Sequence, residues 1–592
     1  MEIKKNYLVI LSVFGLFTLA LYSTYAMFSA NIETSDFVNL SASSLPTETQ
    51  MLEYERISLS ANEIKTIDFN INNNTTSNLY YGAWYEMIEP SSINENIIVA
   101  KHADSEDETF GLIDANNSKK VTLVISNQTN SSVTLNIGVA YSKTSSLNLP
   151  TNRNIISEEY APCKVEEITK DTSGANAPKL ADNMIPVVYD NCEGVWKKAD
   201  TNSWYNYTNK QWANAVLVSS TNRSTYLSAE AGTVVSEDDI LAHYVWIPRY
   251  KYKVWNITKT IGSDSYDAKN SGIDIVFEQG TSSTGEIKCN YNFAVTDGSL
   301  SETCNGSNGQ YYTHPAFTFG SAELSGIWVG KFELSGSASE IAIKPNEKSL
   351  TNQTPDSFYS IVRSMQNSGN AYGLSTNANV VDTHMMKNLE WGAVAYLTHS
   401  DYARCSNGSC SEVGINNSSS RTTGCGAPPS SSENATCNAY NTEVGMNAST
   451  TGNIYGVYDM SGGTAEYVMA NQSQKAGSYV YRVLGAGNDF TYNSSTAKYI
   501  DTYAYGNDMY RQPAYNLTRL GDAVGEVVLT EGGISRNKTM WYNDEVIFLF
   551  SFGPWPIRGN FSESTDGAGI FSLLGADGNA GEYGSRATLA VY

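Results

Sequence analysis

Thiolates and imidazoles carry most nucleophilic and metal chemistry, so a reactive site would show first in the spacing of cysteines and histidines. The chain has five histidines, at His102, His243, His314, His384 and His399, and none sits in a His-x3-His-x-Glu or His-Glu-x2-His grouping. Iron and zinc-hydrolase patterns are therefore missing. The eight cysteines are Cys163, Cys192, Cys289, Cys304, Cys405, Cys410, Cys425 and Cys437, with no Cys-x2-Cys pair among them. An even number behind an export-type N-terminus favours disulfides, with zinc as the alternative. Pairing of neighbours, Cys163 with Cys192, Cys289 with Cys304, Cys405 with Cys410 and Cys425 with Cys437, is the simplest connectivity. Neither a Gly-x-Ser-x-Gly elbow nor a phosphate-binding loop occurs, so the expectation is a protein that is not an enzyme.

The remaining chemistry-bearing groups lie in the last third. NIYGVYDMSGGTAEYV (Asn453 to Val468) places Asn453, Asp459 and Glu466 around Gly456, Gly462 and Gly463. Glycines there allow positive φ or close backbone approach, and the two carboxylates can satisfy loop amides or a cation. Two acids fall far short of about six oxygen ligands. Structural hydrogen bonding is thus expected, with structural calcium as the alternative and no other cofactor. Arg558 and Arg586 read as buried struts, since a guanidinium fork satisfies several carbonyls at once, with ligand contact as the alternative. NFSESTDGAGIFSLLGADGNAGEY (Asn560 to Tyr583) mixes Gly, Ser, Asn and Ala with aromatic rings, a usage suited to adaptable contact loops. The candidate ligand contacts are Trp555, Asn560, Phe561, Glu563, Phe571, Leu573, Leu574, Asp577, Glu582 and Tyr583, with both leucines read as exposed. Ordinary irregular loops closing the fold are the competing reading.

Composition limits the partners. Acids outnumber bases 61 to 38 and the formal net charge is -23, a field that repels nucleic acid and anionic lipid headgroups. With 41% hydrophobic and 11% aromatic residues, the chain has ample material for buried cores. At 592 residues it exceeds the ~250 to 300 at which single cores stop growing, so several domains are expected.

The elements follow from patterning. Tyr7 to Phe28 is nearly all apolar behind Lys4 and Lys5, which reads as a signal peptide or an uncut membrane anchor over 1–28, the rest lying outside the cell. Ile67, Phe69 and Ile71, and again Val133, Leu135, Ile137 and Val139, alternate with polar residues, so 29–145 is expected to form an immunoglobulin-like antiparallel β-sandwich. NNNTTSN (Asn72 to Asn78) and SNQTNSS (Ser126 to Ser132) read as its turns rather than as glycosylation sites. Residues 146–185 read as a linker. From 186 to 592, aromatic strand-like runs join a helix expected over Asp382 to Tyr402, an α+β mixture. His384 and His399, fifteen apart on that helix, read as polar-face or locally satisfied residues.

Two resemblances add to this. YSTYAMFSANIETSDFVNLSAS and the strand after it are similar to the start of the camelysin and TasA family of matrix-fibre proteins, over about the first 145 residues. NIYGVYDMSGGTAEYV, GPWPIRGNFSE (Gly553 to Glu563) and GSRATLAVY (Gly584 to Tyr592) together resemble the formylglycine-generating-enzyme-like (sulfatase-modifying-factor) branch of the C-type lectin fold, over residues ~190 to 592. Gly463 and Ala465 stand where that branch has Asn and Trp. The resemblance implies that catalysis would need a cysteine pair near the Arg-Gly-Gly segment, and no cysteine follows Cys437. Asn560 to Tyr583 is similar in place and composition to the variable segment of diversity-generating-retroelement proteins. The expected function is an exported, surface-displayed binding protein, an adhesin or receptor for a protein or glycan on a cell or phage surface. A matrix-fibre component is the alternative, and a formylglycine-generating-type enzyme the third class.

Overall fold

A computed structural model describes residues 34–46, 50–93, 96–160, 165–260, 272–293, 300–472, 480–482, 489–491, 494–503, 518–530, 537–549, 553–563 and 567–592. The chain separates into two compact units, Met1–Lys164 and Val165–Tyr592. β-Structure dominates. Among the described residues the α-helices are Arg223–Ser228, Pro355–Ser364 and Asn388–Thr398, and none is long and apolar enough to cross a membrane. The apolar run Tyr7 to Phe28 lies outside the described residues.

In the first unit two sheets close over a common core. One runs in the order Thr34–Ala42, Ile64–Asn73, Asn117–Asn127, Ile97–His102, Glu159–Tyr160; the other in the order Met51–Leu59, Val133–Ser142, Leu79–Glu89, Phe110–Ile113, with Asn154–Ile155 also paired to Leu79–Glu89. Ile67, Phe69 and Ile71 from one sheet and Leu135, Ile137 and Val139 from the other are fully buried, as period-two alternation requires. Two turns repeat one device. Asn73 Oδ1 accepts from the amide and hydroxyl of Thr75, and Asn127 Oδ1 does the same with Thr129. Their side-chain amides donate across the turn to Ser77 and Ser131 carbonyls (both 2.8 Å). Both asparagines are buried, so these triplets serve the turn itself.

The second unit is built on a seven-stranded antiparallel sheet in the order Val195–Lys198, Ile185–Asp190, Asn214–Val218, Ile240–Pro248, Gly326–Gly330, Ala587–Val591, Val381–Met385. The C-terminal strand is thus enclosed by partners on both sides. A second, mixed sheet orders Val528–Thr530, Asn537–Thr539, Glu545–Val546, Gly569–Ala576, Trp555–Gly559, Glu466–Tyr467, Gly584–Ser585. Both sheets contribute to one large aromatic core that includes Trp246, Trp255, Trp328, Trp391 and Trp555.

Four expectations are corrected. The sandwich is not wholly antiparallel, since Thr34–Ala42 runs parallel to Ile64–Asn73 and Glu159–Tyr160 parallel to Ile97–His102. The helix expected from Asp382 begins only at Asn388, because Val381–Met385 is a strand paired with Ala587–Val591; both elements are buried on every face, so apolar spacing could not separate them. His384 therefore sits on a strand, fully buried, its Nε2 2.9 Å from Glu390 Oε1, while His399 caps the helix C-terminus. The supposed linker is split between the units. Residues 154–160 supply edge strands to the first, and Ile168, Ala181 and Met184 join the core of the second. That second stretch is held by main-chain carbonyls: the indoles of Trp246 and Trp328 donate to Asn176 O (3.1 Å) and Lys179 O (2.8 Å). Disulfides join Cys289 to Cys304, Cys405 to Cys410 and Cys425 to Cys437; Cys163 lies outside the described residues.

Candidate ligand-binding surface

The glycine-rich turn is fixed from beneath by buried charge. Gly462 and Gly463 adopt φ of 76° and 68°, and Asp459 itself lies in the left-handed region at 63°, geometry that glycine adopts without strain. Asp459 accepts from Asn416 Nδ2 (2.9 Å) and the Gly424 amide (2.9 Å). Glu466 is gripped by Arg586, at 2.6 Å from Nη2 and 3.2 Å from Nε. Arg586 also donates to Gly330 O and Tyr458 O, both 2.8 Å, and so ties the turn to the main sheet. Glu333, buried nearby, accepts from the Thr464 amide (3.0 Å) and from Ser349 Oγ. Burial pushes these carboxyls up, Asp459 to about 6 and Glu466 to about 7, against the pull of Arg586, and Glu333 well above its usual range.

Protein donors already engage the oxygens of Asp459 and Glu466, so these two acids act as struts of the turn. Arg558 is fully buried as well, donating to Asn388 Oδ1 (2.9 Å) and Asp522 O (3.1 Å) below the ring of Trp391. Asn453 accepts from the Tyr455 amide (2.9 Å) and Thr451 Oγ1 (2.7 Å) within its own turn. Two groupings among the described residues bring three potential metal ligands within 4.8 Å, His399 with Cys405 and Cys410, and Glu302 with Cys289 and Cys304. In both, the sulfurs are spent in disulfides.

The expected contact residues divide by burial. Trp555, Asn560, Phe571 and Leu573 are buried. Leu573 and Leu574 were both expected to be exposed; on the strand Gly569–Ala576, Leu573 sits opposite Arg558 and Val546 and enters a small core with Phe548 and Leu549, while Leu574 packs half-buried against the main core. Leu574, Phe561, Asp577 and Tyr583 are half-buried, and Glu563 and Glu582 are exposed. Of the half-buried and exposed members, Phe561, Tyr583, Glu563 and Glu582 converge, and Asp577 lies close enough to act on the Tyr583 phenol. Tyr467, Tyr583 and Phe561 form a file of rings with centroids 4.8 and 5.5 Å apart, and the guanidinium of Arg421 lies 5.2 Å over Phe561. Arg421 also reaches Glu582 (2.6 Å) and Glu563 (3.7 Å). The patch is anchored below: Gly462 N donates to Gly559 O (3.0 Å), Ser562 N to Gly463 O (3.3 Å) and Gly584 N to Ala465 O (3.0 Å). Burial, and then Asp577, push the Tyr583 phenol up, keeping it a donor at neutral pH.

Arg421 and Tyr467 were not among the residues singled out in the sequence. Arg421 sits in a Ser/Thr-rich loop at φ 54°, and nothing local marks it. Tyr467 follows Glu466 and was visible only as one more apolar residue of the turn.

No family model and no curated protein matches this chain. Solved structures with partial likeness include PliG from Aeromonas hydrophila, a periplasmic inhibitor of g-type lysozyme, at 9% identity over 18% of this chain and 100% of that one, with a TM-score of 0.10. Another is the pre-peptidase C-terminal domain of a collagenase from Bacillus anthracis, at 12% identity over 19% of this chain and 99% of that one, also with a TM-score of 0.10. Likeness at that level identifies neither a fold nor an activity.

Proposed function

We propose that the chain is an exported, cell-surface binding protein, an adhesin or receptor. Its second unit is a non-catalytic recognition domain of the C-type-lectin-like, formylglycine-generating-enzyme-like kind, and its first unit a TasA-like stalk. One observation carries the reading: the Tyr583–Phe561–Arg421 file, backed by the fully buried Tyr467 and ringed by Glu563, Glu582 and Asp577, stands on a turn locked by Asp459, Glu466 and Arg586. Rigid aromatic and arginine side chains over a fixed base suit contact energetics, because little side-chain entropy remains to be lost on binding. Three disulfides fit an oxidising compartment. The partner is a protein or glycan on a cell or phage surface.

The experiment is a binding screen of the full chain against arrays of bacterial, phage and host surface proteins and glycans, repeated with Arg421→Ala and Tyr583→Ala. A specific hit weakened at least about thirtyfold by each variant, the mark of a hot-spot residue, supports the reading. A hit indifferent to both places recognition elsewhere.

A further inference from the structure

The second unit carries two clefts that share no residue with the C-terminal patch. The larger, about 520 Å³, is lined by Thr208, Lys253, Asp274, Ser400, Asp401 and Tyr402 together with Gly272, Ile273 and Ile275. The smaller, about 220 Å³, is lined by Lys170, Asp171, Thr201, Asn202, Trp204 and Tyr205. Their volumes bracket the lower end of the ~300 to 1,000 Å³ usual for small-ligand sites.

The clefts are neighbours. Beneath the surface a file of rings runs from one to the other, its middle members Tyr207 and Phe277 buried in the core: Trp204 to Tyr205 (6.0 Å between centroids), Tyr205 to Tyr207 (5.7 Å), Tyr207 to Phe277 (5.5 Å) and Phe277 to Tyr402 (4.5 Å). Asp171 joins them a second way. It lines the smaller cleft and accepts from the Tyr207 amide (2.8 Å), one residue before Thr208 of the larger.

Three aspartates and two lysines line these walls, Asp274 paired with Lys253 at 2.5 Å, an acidic balance that disfavours an anionic ligand. The Trp204 indole is spent on Val187 O and Asn214 O, and the remaining polar side chains are hydroxyls and an amide. Such a wall suits a ligand that both donates and accepts hydrogen bonds at many points and carries no charge. Carboxylates accept strongly from hydroxyl pairs, and the electron-rich faces of Tyr205 and Tyr402 suit the C–H-bearing faces of a sugar ring. Burial raises the Tyr402 phenol, and Asp171, Asp401 and Asp274 raise it further, so at neutral pH it keeps its proton and donates.

We propose that the two clefts form one extended groove that binds a neutral, hydroxyl-rich oligosaccharide. Asp401 and Tyr205 are its principal contacts, one accepting from hydroxyls at the larger end and the other stacking at the smaller.

The test uses the full chain and four probes, maltohexaose, cellohexaose, chitohexaose and, as an anionic comparator, polygalacturonate, each titrated by calorimetry. Saturable binding of a neutral hexamer is expected, with hydrogen-exchange protection on the wild-type protein within 201–208 and 400–402. Asp401→Asn should weaken it by about tenfold, the value of one charge-assisted hydrogen bond, and Tyr205→Ala by about fivefold. Arg421→Ala should leave it unchanged, which separates this site from the C-terminal patch. Failure of all three neutral probes to bind, preference for polygalacturonate, protection outside these segments, or full affinity in both groove variants would overturn the proposal. The protection pattern needs no variant, so a misfolded mutant cannot rescue it.

Discussion

Replacing Arg586 by Met should be among the most damaging single changes in the second unit. Arg586 and Glu466 are both fully buried, and the guanidinium makes two hydrogen bonds to the carboxylate and one each to Gly330 O and Tyr458 O. Methionine fills much of the volume but leaves the carboxylate and two carbonyls without those donors. Breaking a buried pair from one side costs about 3 to 5 kcal/mol, and each of the two orphaned carbonyls adds about 1 kcal/mol, so a loss of about 5 to 7 kcal/mol is expected at pH 8. That rivals the whole stability of an ordinary domain, about 5 to 15 kcal/mol. The loss should depend on pH. Burial already lifts Glu466 to about 7 with the arginine opposing it; without Arg586 the carboxyl rises further and takes a proton more readily, so the variant is less damaged at pH 5 than at pH 8. Glu466→Gln in the Arg586→Met background should recover part of the loss at pH 8. Denaturant unfolding followed by tryptophan fluorescence is a direct assay, since every tryptophan except Trp84 lies in this unit. A loss below about 1 kcal/mol, or no coupling between the two positions, would refute the strut.

Glu526 accepts from Tyr252 Oη (3.0 Å), Tyr396 Oη (2.8 Å) and the Gly521 amide (2.6 Å), and burial pushes it up to about 8. Its folded value lies above the unfolded ~4.3, so its contribution is fully present below that pH and is lost as pH climbs through about 8. Glu526→Gln should flatten this part of the stability–pH profile, and an unchanged slope would contradict the assignment. In the sandwich, Asn127→Ala removes four side-chain hydrogen bonds, to Thr129, Ser60 and Ser131; a loss of about 2 to 4 kcal/mol is expected, read as faster hydrogen exchange in residues 117–142. Exchange as slow as in the wild type would show that the turn is not needed.

How much could be read in advance depended on whether the stabilising contact was local. Ile67, Phe69, Ile71 and the run Val133 to Val139 face one core from two sheets, so their period of two shows directly in the sequence. Neighbouring cysteines paired because each of the three described bridges closes a short loop. The segment from Asp382 was misread as wholly helical because strand and helix there are both buried all round, which erases the difference between the two periods. Residues 165–183 looked like a connector because their anchors are main-chain carbonyls receiving indole N–H groups from Trp246 and Trp328, and such bonds leave no hydrophobic pattern. Leu573 looked exposed among glycines, yet those glycines belong to a strand whose partner, Val546, is distant in sequence. Arg421 was invisible for the same reason: its partners Phe561, Glu563 and Glu582 come together only when the chain end folds into the central sheet.

Recognition by the C-terminal loops is best tested by hydrogen exchange on the full chain, free and saturated with whichever surface protein or glycan the screen recovers. Protection is expected at residues 418–423, 560–563 and 577–583, over a base at 459–467 that is already slow to exchange without ligand. Protection confined to the sandwich strands, or a base at 459–467 that exchanges freely until ligand arrives, would contradict a rigid framework presenting those loops.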